Sequence, residues 1–162
     1  MSGSVVAKIS LGDIAQGKLP QIVGTALSRQ LLEKAQGGDV SGVKRLLKSS
    51  GINVNAANSD GYTALIWAAK NGQVEVVKEL LKDERVDVNH ANSAGTTALL
   101  MAAANGKVEV VKELLQNEKV DVNAIDSYGD TALILAARRG QVEVVQLLIE
   151  KLGLSEIVEI VS

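Results

Sequence analysis

The sequence predicts an all-α repeat solenoid of about four helix–turn–helix units, with helical caps at its N- and C-terminal ends. Three observations predict it. Gly61, Gly95 and Gly129 are spaced by 34 residues, and so are Gly72, Gly106 and Gly140. In the same register Thr63-Ala64-Leu65 recurs as Thr97-Ala98-Leu99 and Thr131-Ala132-Leu133, and Val74-Glu75-Val76-Val77 recurs from Val108 and from Val142. Each period also holds two short apolar stretches at helical spacing. Neither can bury its apolar face alone, so neighbouring units must stack to share a core.

Taken in chain order, residues 1–27 do not follow the repeat and are expected to form an N-terminal helical cap or arm. Ser10-Leu11-Gly12-Asp13 has the spacing of a capping box with Asp in place of Glu. Leu19-Pro20 reads as a helix start, because Pro suits the first helical turn. Ile22, Val23, Ala26, Leu27 and Leu31 then line one side of a helix from Pro20 to about Gln36. A cap over the open end of the stack is the first reading, since arrays need polar-faced ends. A mobile or partner-binding arm, one that could dock into another copy, is the second, and Val5, Val6, Ile9, Leu11 and Ile14 suit either.

Residues 28–57 are a decayed first copy, in which Gly38 matches Gly72, Val40 matches Val74, and Leu46-Leu47 match Leu80-Leu81. Its first helix is expected over 29–36. Full copies occupy 58–91, 92–125 and 126–151. In the first of these, Asn58-Ser59-Asp60-Gly61 is turn chemistry, with Gly supplying the positive φ. Thr63 stands where a helix N-cap belongs, and a short helix is expected from Ala64 to Lys70. The small pair Ala68-Ala69 lets helices approach closely. Asn71-Gly72 ends the helix through a left-handed glycine. A second helix is expected from Val74 to Leu81, and then an extended stretch, Val86 to Asn89. Residues 152–162 read as a C-terminal capping helix: Leu154, Ile157, Val158 and Val161 repeat at i, i+3, i+4, i+7, and Ser155 can cap it.

The segment "NSDGYTALIWAAKNGQVEVVKELLKDERVDVN" closely resembles the ankyrin repeat, over residues 39–151 and more faintly over 28–38. The family's Thr-Pro-Leu-His is here Thr-Ala-Leu-Ile or Thr-Ala-Leu-Leu. Apolar packing by Ile66, Leu100 and Ile134 is expected to replace the bracing His. The linker is one residue longer than usual, a change that a surface loop tolerates cheaply. Near-identical copies, the "MSGS" start and the absence of Cys and Phe fit a designed or consensus-derived array; recently duplicated natural repeats look alike too.

Composition narrows the function. The net charge is −2 and no Lys/Arg stripe forms, which disfavours nucleic acid. No apolar run is long enough to cross a bilayer, and Met1–Val6 lacks a signal-peptide pattern, so a cytoplasmic protein is expected. A metal site needs several ligands, and His90 is the only histidine in a chain without cysteine. No Walker-type loop occurs. Glu75, Glu79, Glu109 and Glu113 repeat as a solvated helix face would. The expectation is therefore no enzyme, no cofactor and no metal. A catalytic residue in the N-terminal arm is a remote alternative.

The resemblance implies a protein partner that docks on hairpin tips and first helices. Copies 58–91 and 92–125 share 23 of 34 residues, and "VEVVKELL" occurs in both unchanged. The differences gather at tip and first-helix positions: Asp60, Tyr62, Trp67 and Lys70 in one copy, Thr96 and Met101 in the next, Tyr128, Asp130 and Arg138 in the third. These are the candidate partner-binding residues. All three aromatics of the chain are among them, and Tyr and Trp are enriched at binding hot spots. Trp67 has a competing reading as inter-repeat packing, and Lys70 and Arg138 as solvated charges. A monomer is expected. The alternative is a unit that self-assembles, as a homodimer or higher, through its apolar terminal segments.

Overall fold

The computed structural model describes residues 10–154, and among these it holds nine helices and no strand. They are α1 (Leu11–Ala15), α2 (Leu19–Gly37), α3 (Val40–Leu47), α4 (Ala64–Asn71), α5 (Val74–Leu81), α6 (Ala98–Ala104), α7 (Val108–Gln116), α8 (Ala132–Arg138) and α9 (Val142–Lys151). The terminal residues Val5, Val6, Ile9, Ser155, Ile157, Val158 and Val161 lie outside the described residues, as does most of the expected C-terminal helix. The Asp13 side chain, one half of the expected capping box, is outside them too.

Local chemistry explains the helix bounds. Thr63, Thr97 and Thr131 sit at the N-caps of α4, α6 and α8, and each hydroxyl oxygen accepts an N–H three residues on, from Ile66, Leu100 and Ile134, at 3.3 Å. That satisfies one of the donors a helix start leaves free. Gly72 ends α4 at φ 68°, a region costly for residues with a Cβ. Asp39 caps α3 by accepting the Gly42 N–H at 2.9 Å.

The first helices α2, α4, α6 and α8 pack in series, each against its own second helix, and α3, α5, α7 and α9 form a second series. The core between the two rows holds Leu31, Leu65, Leu99, Val77, Val111, Leu80, Leu114 and Leu148. Ala68, Ala69, Ala102 and Ala103 are fully buried where first helices meet.

Two expectations need correction. α2 is the helix expected from Pro20 to about Gln36, continuous over 19 residues through the decayed first copy. Of the apolar line from Ile22, Leu31 is buried and Leu27 packs against the core, but the buried face is Gly24, Ser28, Leu31 and Ala35, and Val23 is 43% exposed. The reason is a close crossing: a Cβ on Gly24 would lie 2.5 Å from the Gly51 carbonyl oxygen, and the Ser28 hydroxyl accepts the Asn53 N–H at 2.9 Å. At the crossing itself only a glycine fits at position 24. The stretch expected to be extended, Val86 to Asn89, is a pair of turns, closed by Val86 N–H to the Asp83 carbonyl and His90 N–H to the Asp87 carbonyl.

The Val-Asn pairs have a role the repeat alone does not reveal. The Asn55 side chain donates to the Arg85 carbonyl (2.8 Å) and accepts the Asp87 N–H (2.7 Å). Asn89 makes the same two bonds one repeat on, to Lys119 and Asp121, both 2.8 Å. Each Asn thus clamps its own loop to the next.

The surface charges set a pH dependence. The Gly42 N–H, then Lys34, hold the Asp39 carboxyl below its ordinary value of 3.8. Lys82 does the same for Glu79 from 4.5, and Arg85 for Asp83 from 3.8. Lowered carboxylate values mean that the unfolded chain binds more protons. This stabilisation is complete above the ordinary values and drains away as the pH falls below them. Glu75 raises Lys78, and Asp83 raises Arg85, so their contributions persist through neutral pH and vanish only in strong alkali. Melting temperature should therefore be flat from about pH 7 to 5 and fall below about pH 4, as circular dichroism melts can check.

Candidate functional site

The tips of the three full copies share one backbone frame. Asn58 Oδ1 accepts the N–H groups of Asp60 and Tyr62, both at 3.0 Å. Asn92 Oδ1 accepts from Ala94 and Thr96, both at 2.9 Å, and Asp126 Oδ1 from Tyr128 (2.9 Å) and Asp130 (3.0 Å). Successive tips are also tied together: Ser93 N–H donates to the Asp60 carbonyl and Ser127 N–H to the Ala94 carbonyl, each at 3.0 Å. The residues that vary between copies are thus held by bonds that do not depend on their side chains.

On that frame the first full copy builds an aromatic–cationic cluster. The Tyr62 and Trp67 rings lie 4.7 Å apart, tilted by 35°. Lys70 Nζ sits over both, 5.4 Å from the Tyr62 centroid and 5.2 Å from that of Trp67. Such contacts hold a cation through the negative ring face. Trp67 is half-buried and stands outside the set of residues packed on the core, whereas Tyr62 leans partly against it. Lys70 is half-buried on the rings instead of standing free in solvent. Asp60 is exposed at the tip.

The next copy is flatter in chemistry. Thr96 and Met101 are half-buried, Met101 against the core, and Ala104 replaces the lysine. In the third copy Tyr128 is 87% exposed at the tip. Asp130 is buried and grips Arg138 with two bonds, 2.6 and 3.0 Å, in a bidentate pair. That carboxylate pushes the Arg138 pKa above its ordinary value. The structure thus brings Tyr62, Trp67 and Lys70 together, and Asp130 with Arg138. It places Asp60, Thr96, Met101 and Tyr128 as separate members of one register.

Two features escape a reading of the sequence alone. Ile125 is 58% exposed on the Tyr128 tip. Its register partners are Ala57 and Ala91, so the same copy-by-copy comparison is the signal that could find it. A cleft of about 850 Å³ opens between the N-terminal half of α2 and the loop 51–59, lined by Gln21, Thr25, Arg29, Leu32, Asn58 and Ser59 among others. It depends on the approach of α2 to that loop, which only the folded chain brings together. Among the described residues no group of His, Asp and Glu could hold a metal ion, and no helix is long and apolar enough to cross a membrane.

Stacked helix pairs that present varied side chains on an invariant loop frame define a repeat scaffold. Its family comes from a direct match: residues 31–92, and again 84–158, fit the family model for ankyrin repeats in sets of three copies. The chain belongs to the ankyrin-repeat family, whose repeats are generally protein–protein interaction modules. A search of curated proteins found no match.

Proposed function

We propose that this chain is a non-enzymatic scaffold that binds one partner protein across its hairpin tips and first helices. Asp60, Tyr62, Trp67, Lys70, Thr96, Met101, Tyr128, Asp130 and Arg138 form the contact surface. It needs no cofactor or metal and takes neither nucleic acid nor membrane as partner. It acts as a cytoplasmic monomer.

The observation that carries the reading is the contrast between frame and surface. The Asn58, Asn92 and Asp126 bonds fix equivalent backbone positions, while the side chains at those positions change chemistry from copy to copy. A rigid frame with variable side chains is what selective recognition requires. Trp67 supports it further, because a half-exposed Trp outside the core offers apolar area at low entropic cost.

The test is capture from a cell lysate by three chains: wild type, Tyr62/Trp67/Tyr128→Ala, and a control with Glu75, Glu109 and Glu143→Ala on the second helices. The first triple variant should lose the captured protein and the control should keep it. Equal recovery by all three chains would discard the surface. Light scattering on the wild type checks the monomer.

A further inference from the structure

The cleft beside α2 exists because that helix makes one of the two ties between successive units and leaves the other unmade. Inner loops are joined by the Asn55 and Asn89 side chains, and inner tips by the Ser93 and Ser127 N–H groups. The loop 51–59 packs on a helix instead of on another loop. Its first part is tied down. The Ser28 hydroxyl accepts the Asn53 N–H at 2.9 Å, just as Asn55 and Asn89 take the Asp87 and Asp121 N–H groups in the register positions further on. Gly24 lets the helix backbone close on the Gly51 carbonyl.

The last part of the loop has no such tie. Ser59 stands in register with Ser93 and Ser127, yet its N–H meets no acceptor among the described residues. In the inner tips that acceptor is the carbonyl of Asp60 or Ala94. The position 34 residues before Asp60 is Ala26, inside α2. Helical carbonyls point along their own axis to the following turn, so α2 leaves the Ser59 donor open to the cleft.

The remaining hydrogen-bonding capacity of the walls is weighted to donors. The Thr25 hydroxyl donates to the Gln21 carbonyl at 3.0 Å and the Ser28 hydroxyl to the Gly24 carbonyl at 2.7 Å. Asn58 Oδ1 is occupied by the Asp60 and Tyr62 N–H groups. No Asp or Glu lines the cleft, and Arg29 is its one charged residue. Lys34 on the same helix pairs with Asp39, and Arg138 with Asp130. The Arg29 guanidinium pairs with no described carboxylate, neither Glu33 four residues on nor Asp60 at the tip. An unpaired guanidinium fits a carboxylate with two parallel bonds, and an open tip N–H fits a peptide carbonyl. The cleft, at about 850 Å³, has the volume of a binding site.

We propose that this cleft docks an extended acidic segment of a partner protein. One of the segment's carbonyls accepts the Ser59 N–H, as a preceding tip would, and a neighbouring carboxylate side chain meets Arg29. The mode is strand addition, in which backbone bonds give affinity and side chains give selectivity. None of the nine contact residues of the proposed surface lines the cleft, so the two sites can be tested apart.

The test is an NMR titration of the intact chain with short capped alanine peptides that carry a central Asp, Asn or Lys. The Asp peptide should move the Ser59 amide proton downfield together with the Arg29 Nε–H signal. It should bind about fivefold more tightly than the Asn peptide, the upper end for an exposed ion pair, and the Lys peptide more weakly than either. Arg29→Gln should erase the preference, while Tyr62/Trp67/Tyr128→Ala should keep it. Equal binding of the Asp and Asn peptides, or an unmoved Ser59 amide, would overturn the proposal. So would inorganic phosphate moving both signals where no peptide does, which would reduce the cleft to an anion site. Absent shifts in a chain whose lysate capture is intact would strike the cleft alone. Ser59→Pro isolates the backbone bond. The Gly61 N–H closes the turn 58–61 on the Asn58 carbonyl at 2.9 Å, and Pro suits the second position of such a turn. This variant should keep the wild-type melting temperature and lose the Arg29 shift. A folded Ser59→Pro chain that binds the Asp peptide as wild type does would overturn the backbone bond.

Discussion

Replacing Leu114 by Ala destabilises the chain by about 4 kcal/mol, near the upper end for a buried Leu truncation. Leu114 is fully buried on α7, between the second helices of the repeats on either side. The truncation removes transfer energy and leaves a cavity in a region that two interfaces hold rigid. Leu148, equally buried on α9, is the informative comparison, because its helix has a described second-helix neighbour on one side only. In a nearest-neighbour stack the loss scales with the number of interfaces weakened. Leu148→Ala should therefore cost less, about 2–3 kcal/mol, because an end repeat relaxes into the space more easily. Urea unfolding read by circular dichroism at helix wavelengths gives both values. At about 2–4 °C per kcal/mol for a chain of this size, Leu114→Ala lowers the melting temperature by roughly 8–16 °C. Equal losses at the two sites would mean that the array melts as one block, with no distinction between inner and end units. A broad wild-type transition near about 45 °C, within the ordinary range, would in turn weigh against a consensus-derived origin.

The repeat frame is legible in the sequence because it is written in local chemistry. A Thr at the N-cap, a glycine at the reversal and an apolar i, i+3 pattern each act within a few residues, so their register alone locates α4 to α9. Register cannot decide which equivalent positions have neighbours. Ile66, Leu100 and Ile134 read alike, yet only the first two are buried, because burial depends on the next unit. The face of α2 departs from expectation for the same kind of reason. Apolar side chains suggest one side, while the Gly24–Gly51 crossing demands a glycine on another. In the candidate site, Tyr62, Trp67 and Lys70 fall within one helix and its start, and their closeness is readable from spacing. The Asp130–Arg138 pair joins a tip to a helix end eight residues away, and such a contact exists only once both are placed.

Trp67→Ala should weaken partner binding about 30-fold, equivalent to the roughly 2 kcal/mol lost at an aromatic hot spot, and leave the fold nearly untouched. The two expectations separate because Trp67 stacks on Tyr62 and Lys70 but does not belong to the core. An aromatic pair of this geometry contributes about 0.5–1.5 kcal/mol beyond its area, so a stability loss of that order accompanies an intact fold. Tyr62→Ala, by contrast, should cost both stability and affinity, since that ring leans on the core. Lys70→Ala should lower affinity only two- to fivefold, the effect of releasing about 0.5–1 kcal/mol of cation–ring attraction that holds the cluster in place. Trp67 is the one tryptophan of the chain, so its own fluorescence reports the encounter. Emission should shift to the blue on titration with the captured partner as the ring leaves water, and calorimetry of the three variants should rank Trp67 above Tyr62 above Lys70. An unshifted emission at saturating partner would place the interface away from this cluster.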